Sequence, residues 1–377
     1  MNGLMPASSI EDWQIICQFL PAGWEAAARQ LGALRRARGI TDAATLLRTL
    51  LTHLADGSSL QETVTRTAQA GWCSVSAVAL FKRLRAAEHW LRWLAESLWR
   101  RRETGPPASG YRVRAVDATT VQESGSTGTD WRVHYALDLA SLECDFFEVT
   151  DQRGGETFRR IPVRAGDLVL GDRVYGTPPG LEDIVGRGAD VIVRVNQKAL
   201  PLWDFRGRRF PLAARLRRLR SRQVGEWAAY VHGPCHRLPG RLIALRLSRR
   251  AAQLARARMQ RRASRRQLPV TAEAVYLAGF VFLWTTLPRS VSGPAEVLAW
   301  YRRRWQIELA FKRMKSTMGL GQLPKKSAAS SRAWLYGKLL IALLVERVLE
   351  AAEDFSPRPG EGGEPTEPMA RGSIHAP

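Results

Sequence analysis

Apolar residues recur every three to four positions through the first quarter of the chain, then every second position, and every three to four again towards the C-terminal end. A period near 3.6 marks helices and a period of two marks half-buried strands. Residues 1–105 are therefore expected to be helical. Ser59 and Glu62 form a capping-box pattern that opens a helix over 60–70, Gly71 breaks it, and helical periodicity resumes over 75–102. The second helix carries Lys82, Arg83 and Arg85, which suits either a helix-turn-helix DNA reader or an ordinary helix pair.

Residues 103–110 read as a linker, rich in Gly, Pro and Ser. Beyond it the runs 111–117, 131–139 and 143–150 predict strands, the last two joined by a short hairpin turn at 139–142. Two short apolar strands follow at 167–172 and 190–195, separated by a Gly/Pro-rich loop and a brief helical stretch. Between 196 and 273 the pattern changes: eight arginines lie in 206–222 and nine in 246–266, with strand-like runs at 226–231 and 241–247 and a basic helix over 251–266. This region reads as a basic, β-rich insertion. Sheet signal returns over 274–284, one helix is expected over 294–318 and another over 335–352, and residues 353–377 read as a disordered tail. The fold class is α/β, a mixed sheet flanked by helices.

Charge narrows the function. The 377 residues carry 57 Lys and Arg against 35 Asp and Glu, a net charge of +22 with a pI near 11.0. Such an excess points to a polyanionic partner, because Arg side chains binding phosphates release counterions. Four widely spaced cysteines form no paired motif, which fits a reduced, cytoplasmic chain and not a zinc site. Cys235 and His236 near His232 lack the second cysteine pair that a metal site needs. The longest apolar run, 339–345, is too short to span a bilayer.

Candidate chemistry lies in the 294–318 helix. Tyr301, Arg304, Glu308 and Lys315 stand at intervals of three, four and seven, so on one straight helix they project within an arc of roughly 60°. Trp300, Ile307, Phe311 and Met314 fill the adjoining apolar sector, placing Glu308 at the edge of a buried face where a carboxylate wants a cation. A surface Arg304–Glu308 pair is the plainer alternative. Asp117 and Asp172 close the strands 111–117 and 167–172, with oxygens at the sheet rim that suit hard cations. Three carboxylates can hold two divalent ions roughly 3.5–4 Å apart, an arrangement that breaks and rejoins phosphodiesters.

The motifs Val-Asp117-Ala-Thr-Thr, Gly-Asp172-Arg-Val-Tyr175 and Tyr301-x2-Arg304-x3-Glu308-x6-Lys315 resemble the three signatures of bacterial insertion-sequence DDE transposases with a Tyr-Arg-Glu-Lys helix. Residues 127–135 and 284–288 are similar too. The resemblance implies a ribonuclease H-like core over 111–195 and 274–352, in which Asp117, Asp172 and Glu308 ligate two Mg2+ ions, with Mn2+ as a substitute. It implies that Tyr301, Arg304 and Lys315 contact DNA, that Arg173 and Tyr175 support the site as part of the second signature, and that the helical region helps recognise terminal inverted repeats. Relatives that cleave through a DNA hairpin hold a flipped base on an aromatic of the last insertion strand, for which Phe280, Phe282 and Trp284 are candidates. Cut-and-paste movement into target DNA, a dimer in the DNA complex and no large C-terminal dimerisation domain are further expectations. A DNA-binding protein decayed or derived from such an enzyme, and a stand-alone nuclease, are the rival readings.

Overall fold

The computed structural model describes residues 7–100, 110–324 and 327–355; the linker, except Gly110, and residues 356–377 lie outside them. The N-terminal region contains α1 (Ala7–Phe19), α2 (Trp24–Gln30), α3 (Ala43–Asp56), α4 (Leu60–Gln69), α5 (Ala77–Ala86) and α6 (Glu88–Arg100). Asp42, Ser59 and Ser76 accept first-turn N–H groups and so cap α3, α4 and α5. Only half of the expected capping box forms. Ser59 Oγ accepts from Glu62 N at 3.1 Å, but the Glu62 carboxylate turns to Arg66. The helix expected over 75–102 is two helices, parted at Ala87, whose N–H bonds back to Arg83 and Leu84.

The sheet begins with β1 (Arg112–Glu123), β2 (Trp131–Asp138) and β3 (Cys144–Asp151), continues with β4 (Asp167–Gly171), α7 (Pro178–Gly186) and β5 (Asp190–Arg194), and then enters the basic region. There follow α8 (Leu212–Arg217), β6 (Val224–Ala228), β7 (Val231–His232), β8 (Arg237–Leu238), β9 (Arg241–Arg246), α9 (Arg249–Arg265), α10 (Ala272–Leu277) and β10 (Phe280–Thr285). The chain closes with α11 (Pro294–Arg303), α12 (Trp305–Thr317), β11 (Gln322–Leu323) and α13 (Ala328–Phe355). Strand order is β3-β2-β1-β4-β5-β10-β9-β6, with β11 paired to the far end of β1. β1, β4 and β5 are parallel, and the first five strands have the ribonuclease H-like order. The insertion is divided: β9 and β6 extend the main sheet through β10, whereas β7 and β8 form a two-stranded sheet of their own.

Three expectations change. Residues 274–277 are helical, so β10 starts only at Phe280. Asp117 does not close its strand, because β2 pairs with β1 as far as Val121 and holds it extended. The helix expected over 294–318 breaks at Arg304, where Arg304 N bonds to Tyr301 O and Ile307 N to Arg304 O, three residues back in each case. α11 packs on β5, β6 and β9, whereas α12 packs on β1 and β2. The break lets one helical stretch follow a twisted sheet.

Alternating side chains send Ala115, Tyr135, Leu170, Ile192 and Leu283 into one core and Val116, Ala136, Val169, Val193 and Trp284 into another. Helices α11 to α13 and the N-terminal helices cover the first face. α13 carries buried Leu335, Leu339, Leu340 and Leu343 and packs against α1, α3, α5 and α6. Among the described residues, no helix is long and apolar enough to cross a membrane.

Candidate active site

Strand register brings the first two candidate carboxylates together. Val116 lies opposite Gly171, and Gly171 opposite Val193, so the next row along the sheet holds Asp117, Asp172 and Arg194. Asp117 is also opposite Tyr135 and Arg194 opposite Leu283, and both of those partners belong to the core beneath the helices. The row therefore faces α11 and α12. Gly171 is required just before it, because a Cβ there would stand 2.4 Å from the Phe158 ring.

α12 supplies the third carboxylate. Phe311 tilts against Tyr135 with ring centroids 5.7 Å apart, holding the helix over the row. Arg304, at the helix break, joins the two sides: Nη1 donates to Asp117 Oδ2 at 3.2 Å and Nη2 to Glu308 Oε1 at 2.5 Å. The Arg304 side chain is 11 % exposed and that of Glu308, at the edge of the buried face, 48 %. The adjoining Ile307, Phe311 and Met314 take the buried sector as anticipated.

Burial pushes the Asp117 carboxyl above its ordinary range and the Asp172 charge adds to this; the Ala118 N–H and Arg304 oppose it. Among the described residues, no group of three or more His, Cys, Asp or Glu side chains is clustered closely enough to hold a metal ion, and Arg304 spans the gap between Asp117 and Glu308. The donor chemistry still fits a hard divalent cation. It is all carboxylate oxygen, and one group is desolvated beside a like charge that such an ion would neutralise.

The remaining sequence candidates separate. Tyr301 sits with its ring centroid 5.7 Å from the Arg304 guanidinium, and burial raises its phenol to about 12, so it remains a proton donor. Arg173 is held below its ordinary value by burial and by repulsion from Arg194 and Arg262, against the pull of Asp172 and Tyr301. Lys315 stands on the exposed side of α12, about 10 Å beyond Glu308 along the axis. Tyr175 is fully buried against Phe158, and its hydroxyl has no partner. It lies in the core on the other face of the sheet and offers DNA no surface.

The "Transposase DDE domain" family model matches residues 108–344. The chain belongs to the DDE transposase family. Over 360 residues the transposase is 35% identical to the transposase for insertion sequence element IS421 of Escherichia coli, covering 93% of this chain and 97% of that relative. It is 34% identical over 359 residues, with the same coverage, to the InsL proteins of insertion sequence elements IS186A and IS186B of E. coli strain K12.

Several residues near the candidate site of the transposase escaped the sequence pattern. Arg194 is one arginine among many until strand register aligns it with Asp172. Glu156 comes from the loop after β3, pairs with Arg132 at 3.3 Å, and is raised by burial and by the charges of Asp117 and Asp172. Trp305 follows Arg304 directly and is 60 % exposed. The aromatic candidates of the last insertion strand are corrected here: Phe280, Phe282 and Trp284 are all buried, and the Trp284 indole donates to Ala229 O at 3.0 Å. None presents a face to a base.

Proposed function

We propose that this transposase cuts DNA at the ends of its own insertion sequence and joins the freed 3′-hydroxyl to target DNA, with Asp117, Asp172 and Glu308 as ligands of two Mg2+ ions. The observation that carries the reading is the single row of Asp117 and Asp172 with Glu308 tied to it through one guanidinium. When bound, the ions supply charge neutralisation at the phosphate and activation of the attacking oxygen. The protein's own groups do the positioning. Arg304 exchanges its carboxylate partners for a phosphate oxygen, Arg194 and Arg173 bind neighbouring oxygens, and the Tyr301 hydroxyl donates a hydrogen bond. Trp305 gives an unpaired base a stacking face, and Lys315 takes a phosphate further along the strand.

The helical region and the arginines of the insertion hold the terminal inverted repeats, two copies of the chain bring two ends together, and the work is done in the bacterial cytoplasm. The test is a labelled duplex carrying an element end, incubated with Mg2+ and a target plasmid. Joined product supports the proposal. Cleavage without joining makes the protein a nuclease, and a mobility shift alone makes it a non-catalytic DNA binder.

A further inference from the structure

A cleft of about 750 Å3 opens between the N-terminal helices and the far end of β1, away from the candidate active site. This volume lies within the roughly 300–1,000 Å3 of ligand sites. Its walls include Lys338 and Trp334 of α13, Ser59 and Leu60 at the start of α4, and Gln122 and Ser124 at the β1 turn.

Lys338 is the informative residue. It is only 3 % exposed, and among the described residues its ammonium has no hydrogen bond or carboxylate within pairing distance; it lies over the Trp334 ring, 5.1 Å from its centroid. Two carboxylates stand near it without pairing with it: Glu123, which also lines the cleft, and Asp56, whose charge favours the protonated ammonium against its burial. Glu123 accepts from the Trp131 indole at 3.0 Å, and Asp56 pairs with Arg66 at 2.8 Å. A buried cation without a counterion is costly unless something anionic completes it. The start of α4 lines the same space; the Ser59 cap takes Glu62 N–H, but the two preceding N–H groups have no partner within the helix, and the helix dipole favours negative charge there.

Two elements lead from the candidate active site to this cleft. Asp117 and Gln122 are five residues apart on β1, about 17 Å at strand rise. Glu308 and Gly319, which also lines the cleft, are eleven residues apart, and α12 spans about 14 Å of that path, as far as Thr317, with exposed Lys315 on the way. About 17 Å is five nucleotide steps along a DNA strand.

We propose that the cleft is a phosphate-binding subsite for the DNA end, in which Lys338 and the α4 N-terminus hold one backbone phosphate about five nucleotides from the cleavage point. The identity of the occupant rests on the function proposed above. The test is binding of a terminal-repeat duplex, taken from DNA flanking the reading frame, titrated with salt for wild type and for Lys338→Met, Lys338→Arg and Ser124→Glu. Lys338→Met is expected to weaken binding about tenfold and to lower the log–log salt slope by about one, the share of a single phosphate, while Lys338→Arg keeps the slope. Ser124→Glu puts a negative charge at an exposed rim position, so it decides the matter even if Lys338→Met fails to fold; it is expected to weaken binding without moving the thermal midpoint. Wild-type affinity and slope in Ser124→Glu, or in a folded Lys338→Met, overturn the subsite. Failure of the wild type to bind the duplex at all instead overturns the function on which it rests.

Discussion

At the scale of single residues, the site is organised by one buried guanidinium between two carboxylates. Glu308 is half exposed and, among the described residues, ion-pairs with Arg304 alone, so Glu308→Gln removes charge without opening the core. It is expected to lower end cleavage at least about a hundredfold, as loss of a catalytic electrostatic group does, while end affinity stays near wild type; cleavage at the normal rate would remove Glu308 from the ligand set. Trp305 is legible only in the folded chain, because its exposure depends on the helix break. Trp305→Ala is expected to cost about 1–3 kcal/mol of binding to single-stranded element ends, with unchanged stability, and fluorescence anisotropy would measure it. His134 makes a pH test possible. Its imidazole is lowered to about 4, by burial first and then by Arg160 and Arg132. Unfolded histidine titrates near 6.5, so this stabilisation is fully present above about pH 6.5 and is lost as the pH falls towards 4. The loss is on the order of 2–3 kcal/mol. Urea midpoints of wild type should fall across that window, and those of His134→Gln should fall less.

Among the elements, strands of the ribonuclease H-like order were readable because short continuous apolar runs opened by Asp mark buried strands, as in residues 167–171 and 190–194. Helix starts were readable where Ser59 supplied a cap. What escaped was decided by distant partners. β1 runs through Asp117 because β2 holds it there, and the 294–318 helix breaks because its halves pack on different strands. The carboxylates were visible as types and spacings, but their meeting depends on the register Val116–Gly171, which no local pattern encodes. The same holds for α13, whose apolar stripe gives no hint that it packs on helices some 250 residues earlier, as the Arg332–Glu88 pair illustrates. Leu340 is fully buried in that packing. Leu340→Ala is expected to cost about 2–5 kcal/mol, and circular dichroism and the near-ultraviolet signal should lose structure in one transition if the two ends of the chain form one cooperative unit.

For the molecule as a whole, a charge of +22 is useful only where it is spread along a path a polyanion can follow. α9 is the clearest stretch of that path: Ala252 is its one buried residue among those described, and Arg258, Arg261 and Arg265 are exposed without ion pairs. Because α9 contributes so little to the core, its arginines can be changed without disturbing the sheet, and the Arg262 charge reaches Arg173, next to the row of Asp117 and Asp172. A solvated helix that merely keeps the protein soluble would leave DNA binding indifferent to these positions. A phosphate track would not. Replacing Arg258, Arg261 and Arg265 together by Gln is expected to lower the salt slope of duplex binding by two to three, about 0.9 per lost phosphate contact, equally for element ends and unrelated DNA. A fall confined to element ends would instead make α9 a sequence reader, and an unchanged slope would return it to the solvated surface.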